Sequence, residues 1–493
     1  MATTTAIPQR VHLIGVGGMH MSGIAQILVA RGHNVSGSDL RPSPLTDRLA
    51  SLGVAVFEGH RPEHVGDAEL VVRTSAAPDD NPEVVEARRR SVPVIKRAEM
   101  VARLMEGRYA VAVAGSHGKT TTSGLIAYML VRAALSPTYL VGGEIRDLDG
   151  NAAPGEGRHI VVEADEFDAA FLNYRPDLAV VTNIEPDHLD YYGSFEKLTE
   201  AFAQFMGAVP PAGHLIVCAD SPVIRELLDA PRERIALQTS QVATYGLQWP
   251  ADWTVYGLSP TAEGGHEFLV ARDRQPFGGF SVRLPGEHNV ANALAAIAAG
   301  SVLGLTPEVM REALASFRGV RRRFEVVGEA AGVTVMDDYA HHPTEVRATL
   351  AAARQRFPER RLLALFQPHT YSRTRYLLEG FRSCFEGLDG LFILETYAAR
   401  EPLAAGISAQ ELAKAIERPR ATYVPGFEAA AQAALEALQP GDVFFTMGAG
   451  DVDQVGPMVV EGLKARKQSS GGKKQGAGVR GQGTGPRPLT PGP

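Results

Sequence analysis

The stretch that most constrains this chain is an apolar run, Tyr109-Ala-Val-Ala-Val-Ala114, followed directly by Gly115-Ser116-His117-Gly118-Lys119-Thr120-Thr121. The run reads as a buried strand, the glycines as a tight turn, and Ser123 to Arg132 as a helix. This succession is a recipe for holding phosphates. Glycine lets the backbone wrap an anion with its N–H groups pointing inward, and the helix start adds partial positive charge. Lys119 is placed to reach terminal phosphates and the Thr120 hydroxyl to meet Mg²⁺. The spacing departs from G-x-x-x-x-G-K-[ST], because Val113 stands at the first Gly.

A length of 493 residues predicts roughly three domains at about 150 residues each. The net charge of −7 argues against a nucleic-acid surface and fits an enzyme that handles small anions through local positive sites. Cys218 and Cys384 are far apart in apolar surroundings and read as buried thiols. The N-terminus has no basic region or long apolar core, and no apolar run approaches the ~18 residues of a membrane helix. The expectation is a cytoplasmic enzyme without membrane insertion.

Ahead of the phosphate loop, Val11-His-Leu-Ile-Gly15-Val16 reads as a strand and Gly17-Gly18-Met19-His20-Met21-Ser22 as the turn into a helix. A second strand ends at Asp39. This is a Rossmann-type βαβ unit with an acid at ribose distance, but His20 stands at the third Gly of G-x-G-x-x-G, which weakens a dinucleotide reading. Thr74-Ser75 follows another strand, at the end where open parallel sheets bind ligands. After the phosphate loop, one strand ends in Glu163, Asp165 and Glu166, and another runs into Glu185-Pro-Asp187-His188. Acids clustered at strand ends opposite a phosphate loop are where Mg²⁺ ligands belong. Residues 213–285 read as strands and turns without chemistry. His288, Asn289 and Asn292 open an Ala-rich helix and suit either a base edge or helix capping.

Phe317 to Glu325 reads as a hinge with a basic cluster. A third βα series places Asp337-Asp338-Tyr339-Ala-His341-His342-Pro343 and Gln367-Pro-His369-Thr370-Tyr-Ser-Arg373 after strands. The predicted domains are 1–107, 108–319 and 320–465. Residues 466–493, rich in Gly, Lys, Gln and Pro, form a tail predicted to be disordered.

Seven stretches in order resemble the Mur ligases of peptidoglycan precursor synthesis: Gly15 to Ala25, Gly115 to Thr121, Glu163 to Asp168, Thr182 to Asp190, Arg322-Arg323-Phe324, Asp337 to Glu345, and Phe366 to His369. The short phosphate loop is that family's own form. Within the family they are most similar to the members that add L-alanine to UDP-N-acetylmuramate. Members that recycle a murein tripeptide onto the same sugar are the alternative. The resemblance implies an α/β fold of three domains: Rossmann-like for the UDP-sugar, a central P-loop ATPase domain, and a Rossmann-like amino-acid domain. It implies an acyl-phosphate route using ATP and Mg²⁺, in a monomer or homodimer. By the same resemblance, Lys119, Glu163, His188, His341 and Arg373 are catalytic, Thr120 and Glu163 bind one Mg²⁺, and a second Mg²⁺ lies near His188. ATP falls to Gly115 through Thr121 with His288, Asn289, Asn292, Arg323 and Asp338. The UDP-sugar falls to Gly15, Gly17, Gly18, Ser22, Asp39, Thr74 and Ser75, and the amino acid to Tyr339, His341 and Arg373. Two positions depart from the pattern: His20 replaces a Gly and Thr370 an Arg. Phe202-Ala-Gln-Phe205 occupies the region where sister ligases carry a modified lysine, which is therefore not expected here.

Overall fold

The computed structural model describes residues 6–148, 150–230, 236–239, 241–399 and 401–472, with backbone alone for 405 and 467–472. Each third of the chain builds one sheet. The first has five parallel strands in the order Ala55–Glu58, Asn34–Asp39, Arg10–Ile14, Leu70–Arg73, Val94–Lys96. Its two central strands, Arg10–Ile14 and Leu70–Arg73, bury apolar side chains on both faces, as a sheet covered by helices requires. One seam between sheet and helix is polar. The Glu83 carboxylate, fully buried, accepts hydrogen bonds from the Ser38 hydroxyl at 2.6 Å, the His64 Nδ1–H at 2.9 Å, the Arg61 N–H at 3.2 Å and the His12 Nε2–H at 3.4 Å.

The central sheet has ten strands. Tyr109–Ala114 lies between His159–Glu163 and Leu178–Val181, all three parallel, so the phosphate loop and both acidic strand ends open at one edge. Antiparallel strands from Trp253 to Val282 extend the sheet on the far side. The helix after the loop begins at Lys119, not at the predicted Ser123. A run of three threonines has weak helix propensity, but Thr121 and Thr122 are buried against the helix Glu287–Val302, and the Thr122 hydroxyl donates to Asn292 Oδ1 at 3.3 Å. Phe202 and Phe205 are fully buried core residues.

The third sheet has six strands, with Val443–Met447 between Val333–Asp338 and Leu362–Phe366. Its apolar residues form two clusters of their own, whereas one continuous cluster joins the first two sheets and a smaller one covers the other face of the first. The predicted hinge is pinned to a central-domain hairpin: the Arg146 N–H donates to Gly319 O, the Arg321 N–H to Glu144 O, and Arg318 pairs with Asp147 at 2.6 Å. The last helix, Val455–Gly472, carries the chain in helical form past 466, where the tail was predicted to start; the remainder of that predicted tail lies outside the described residues. Among the described residues no helix is long and apolar enough to cross a membrane.

Candidate active site

The phosphate loop needs both of its glycines. Gly115 and Gly118 have φ of +136° and +80°, and a Cβ on either would come within 2.0 Å of Thr182 Oγ1 or 2.4 Å of Asn292 Oδ1. The His117 N–H donates to Asn183 Oδ1 at 2.9 Å, and the Ser116 hydroxyl interlocks with the Glu185 main chain. Lys119 folds over the loop: its ammonium donates to Gly115 O at 2.6 Å and to Ser116 O at 3.2 Å, and meets Glu166 at 2.8 Å. Burial opposes that charge, but the carboxylates of Glu166, Asp165 and Glu163 outweigh it and hold the amine above its usual pKa.

The expected metal-binding residues fall in two groups. Glu163 accepts the Gly142 N–H at 2.8 Å at its strand end. His188 instead gathers with Glu166 and Asp187, their ligand atoms all within 4.8 Å of one another. No three-residue cluster of potential ligands among the described residues joins Glu163 to His188. Sequence spacing located the strand ends but not which acid turns toward the histidine.

A cavity of about 590 Å³ runs from the loop between the central and third domains. His117, Gly118, Thr120, Thr121, His288, Asn289, Asn292, Arg323 and Asp338 line it, as expected of a nucleotide site. Its far wall was missed: Cys218, Asp220, Tyr245, Leu247 and Gln248 come from the region read as having no chemistry. Asp220 organises this wall by accepting the N–H groups of Leu247, Gln248 and Trp249 at 2.8–3.0 Å. An acid accepting a turn's amides carries no periodic signal, so only the fold exposes it.

Third-domain residues close the cavity. His117 lies between Glu345, at 3.3 Å, and Glu185, at 3.5 Å. Burial resists its protonation, but those two carboxylates raise its pKa to about 9. Arg323 pairs with Glu345 at 3.4 Å and lies over the Tyr339 ring. Asp338 also braces the chain around the cavity. Its oxygens accept the N–H groups of Phe324 at 2.8 Å and Ala340 at 2.9 Å, and the Thr349 hydroxyl at 3.1 Å. Nearby, Arg373 bridges domains: Nε donates to Asp187 Oδ1 at 2.9 Å and Nη1 to His369 Nδ1 at 2.9 Å. His341 donates its Nδ1–H to Tyr339 O at 2.9 Å, and burial pushes its pKa down to about 4. His369, stacked on Tyr397 at 5.3 Å, was not among the expected site residues. Thr370 contacts the Ser372 hydroxyl at 3.2 Å.

In the first domain, Gly15 has φ of +81° against Thr74, whose methyl lies 2.6 Å from where a Cβ would stand. Asp39 accepts the Gly17 N–H at 2.9 Å and so shapes the turn. Ser75 donates to Asp168 of the central domain at 2.8 Å. Ser22 departs from expectation. It is fully buried, with its hydroxyl on Met19 O, and cannot reach a sugar.

Profiles of known families match three successive segments: the Mur ligase family catalytic domain over residues 10–109, the Mur ligase middle domain over 113–300, and the Mur ligase glutamate ligase domain over 322–450. The UDP-N-acetylmuramate–L-alanine ligase of Anaeromyxobacter sp. (strain Fw109-5) is 47% identical over 93% of this chain and 98% of its own length. That of Geobacter sulfurreducens is 44% identical over 94% and 99%.

The chain belongs to the Mur ligase family.

Among solved structures, the UDP-N-acetylmuramate-alanine ligase of Thermotoga maritima superposes with a TM-score of 0.78 at 28% identity, covering 94% of this chain and 99% of that one. A murein peptide ligase from Psychrobacter arcticus superposes at 0.71 with 24% identity, covering 93% and 99%, which speaks to the fold alone. As a Mur ligase the chain is an ATP-dependent ligase with three α/β domains. Its cavity, phosphate loop and acid-rich strand ends fall at the meeting of those domains.

Proposed function

We propose that this Mur ligase joins L-alanine to the carboxylate of UDP-N-acetylmuramate, with ATP cleaved to ADP and phosphate. The observation that carries the reading is the corner where Asp187 of the central domain meets Arg373 of the third at 2.9 Å. An α-amino acid presents a carboxylate and an ammonium together, and Arg373 and Asp187 offer the matching opposite charges. Relatives at 44–47% identity named as alanine ligases support the choice of amino acid. The tripeptide-recycling alternative is supported by more distant matches, at 24% and 29% identity.

In this reading the sugar carboxylate attacks the γ-phosphorus. An O–P bond forms, and the bond to the β-phosphate oxygen breaks with ADP leaving. The alanine amine then adds to the acyl carbon, loses a proton, and phosphate departs with its electron pair. Two anions must meet in the first step, so Lys119 and the loop N–H groups hold the phosphates while Arg323 closes from the third domain. Glu163 with the Thr120 hydroxyl, and His188 with Glu166, are the residues that would hold Mg²⁺, and their oxygen donors fit that ion. A bound Mg²⁺ neutralises charge between the reacting anions. Walls from two domains limit the access of water to the acyl phosphate. The test is phosphate release from ATP with UDP-N-acetylmuramate and each amino acid in turn. Release should be fastest with L-alanine, and faster release with the murein tripeptide would overturn the assignment.

A further inference from the structure

Two polar atoms at the junction of the first and central domains are buried without a hydrogen-bond partner among the described residues: His20 Nε2 and Arg97 Nη1. They sit on the first turns of two helices, Met19–Ala30 and Arg97–Met105. Both turns abut the central domain. Met19 O accepts from Asn151 Nδ2 at 2.8 Å, and the other Arg97 nitrogen, Nη2, lies 3.3 Å from Asp165. Arg97 is only 8% exposed. A buried polar group left unpaired is costly, so two of them on neighbouring turns call for an acceptor.

The location says which acceptor. His20 lies in the field of Arg97, Glu163, Asp165 and Lys119. Those are the phosphate-loop lysine and the strand-end acids, hence the reacting end of the site rather than the far end of a nucleotide sugar. Burial foremost, with the Arg97 charge, pushes the His20 pKa down to about 4, so its ring is neutral at pH 7 and keeps one N–H. The third Gly of the Rossmann fingerprint, which His20 replaces, has no side chain with which to do this.

We propose that His20, backed by Arg97, binds the reacting carboxylate of the sugar substrate, donating its ring N–H to one carboxylate oxygen while the other attacks phosphorus. No proton is transferred through it. A neutral N–H holds the carboxylate by a charge-assisted hydrogen bond without placing a further full positive charge on the nucleophile, so the attacking lone pair stays available. The proposal rests on the function proposed above.

The test compares binding of UDP-N-acetylmuramate with UDP-N-acetylglucosamine, which lacks that carboxylate, by calorimetry on the full chain, alongside steady-state kinetics. Wild type should favour the carboxylated sugar. In His20→Ala the preference should fall at least tenfold and kcat/KM for the sugar should drop in step, with the KM for ATP within twofold. His20→Asn, which retains an N–H donor, should recover a substantial part, and it carries the test if the alanine variant does not fold. An unchanged preference in the variant that folds overturns the role of His20. A wild type with no preference between the two sugars overturns the functional reading itself, before any variant is compared.

Discussion

Lys119 is embedded in its own chain, held by two carbonyls and Glu166, so a phosphate that reaches it competes with an internal carboxylate. Lys119→Ala should therefore abolish ATP turnover, with a loss of about 2–5 kcal/mol in transition-state binding, while the affinity for the UDP-sugar, held by another domain, changes less than about threefold. Phosphate release and sugar titration check the two halves. His117 gives a pH signature. Its folded pKa, about 9, lies above the ordinary 6.5. The stability it contributes through Glu345 and Glu185 is complete below pH 6.5 and is lost as pH rises through 9. Wild type should lose melting temperature between those limits more steeply than His117→Gln. At this scale the sequence was legible where chemistry repeats a fixed spacing, as from Gly115 to Thr121. It was not legible for Asp39 and Asp338, whose carboxylates hold backbone amides of distant turns; an acid at a strand end reads the same whether it faces a ligand or its own chain.

At the scale of elements, three adjacent parallel strands bring the loop, Glu163 and the Asn183–His188 segment to one edge. Apolar runs ending in acids were enough to anticipate that convergence. The partnering of His188 with Glu166 and Asp187 depends on how the chain turns after each strand, which no periodicity encodes. The polar seam of the first sheet was likewise not anticipated, since His12, Ser38 and Glu83 are far apart in sequence. Removing one member of a buried charged network leaves the others uncompensated, so Glu83→Ala should destabilise the first domain by about 3–5 kcal/mol, measured by chemical denaturation. Burial opposes ionisation of Glu83, but the hydrogen bonds from His12 and Ser38 prevail and bring its pKa from 4.5 down to about 2. Its contribution is therefore complete above pH 4.5 and is lost as pH falls through 2, and wild type should be more acid-sensitive over that range than Glu83→Gln.

Across the whole molecule, the first two sheets share a core and the third keeps its own, so the seam at the third domain is the natural place for relative motion. Arg373→Ala should raise the KM for alanine at least tenfold with little effect on the KM of ATP or sugar; initial rates over an alanine series decide this. Excess chelator should abolish turnover and Mg²⁺ restore it, because the oxygen donors at both strand ends would otherwise repel the incoming phosphates. The three-domain order was legible because each domain carries its own fingerprint. The far wall of the nucleotide cavity was not, because Cys218, Tyr245 and Gln248 converge only through strand order. The corner formed by Asp187 and Arg373 has a further consequence in time. Neither domain alone presents both charges, and the cavity beside the phosphate loop straddles the same seam. On the proposed function, alanine has a berth only while the two domains stand together, so any opening of that seam would release it.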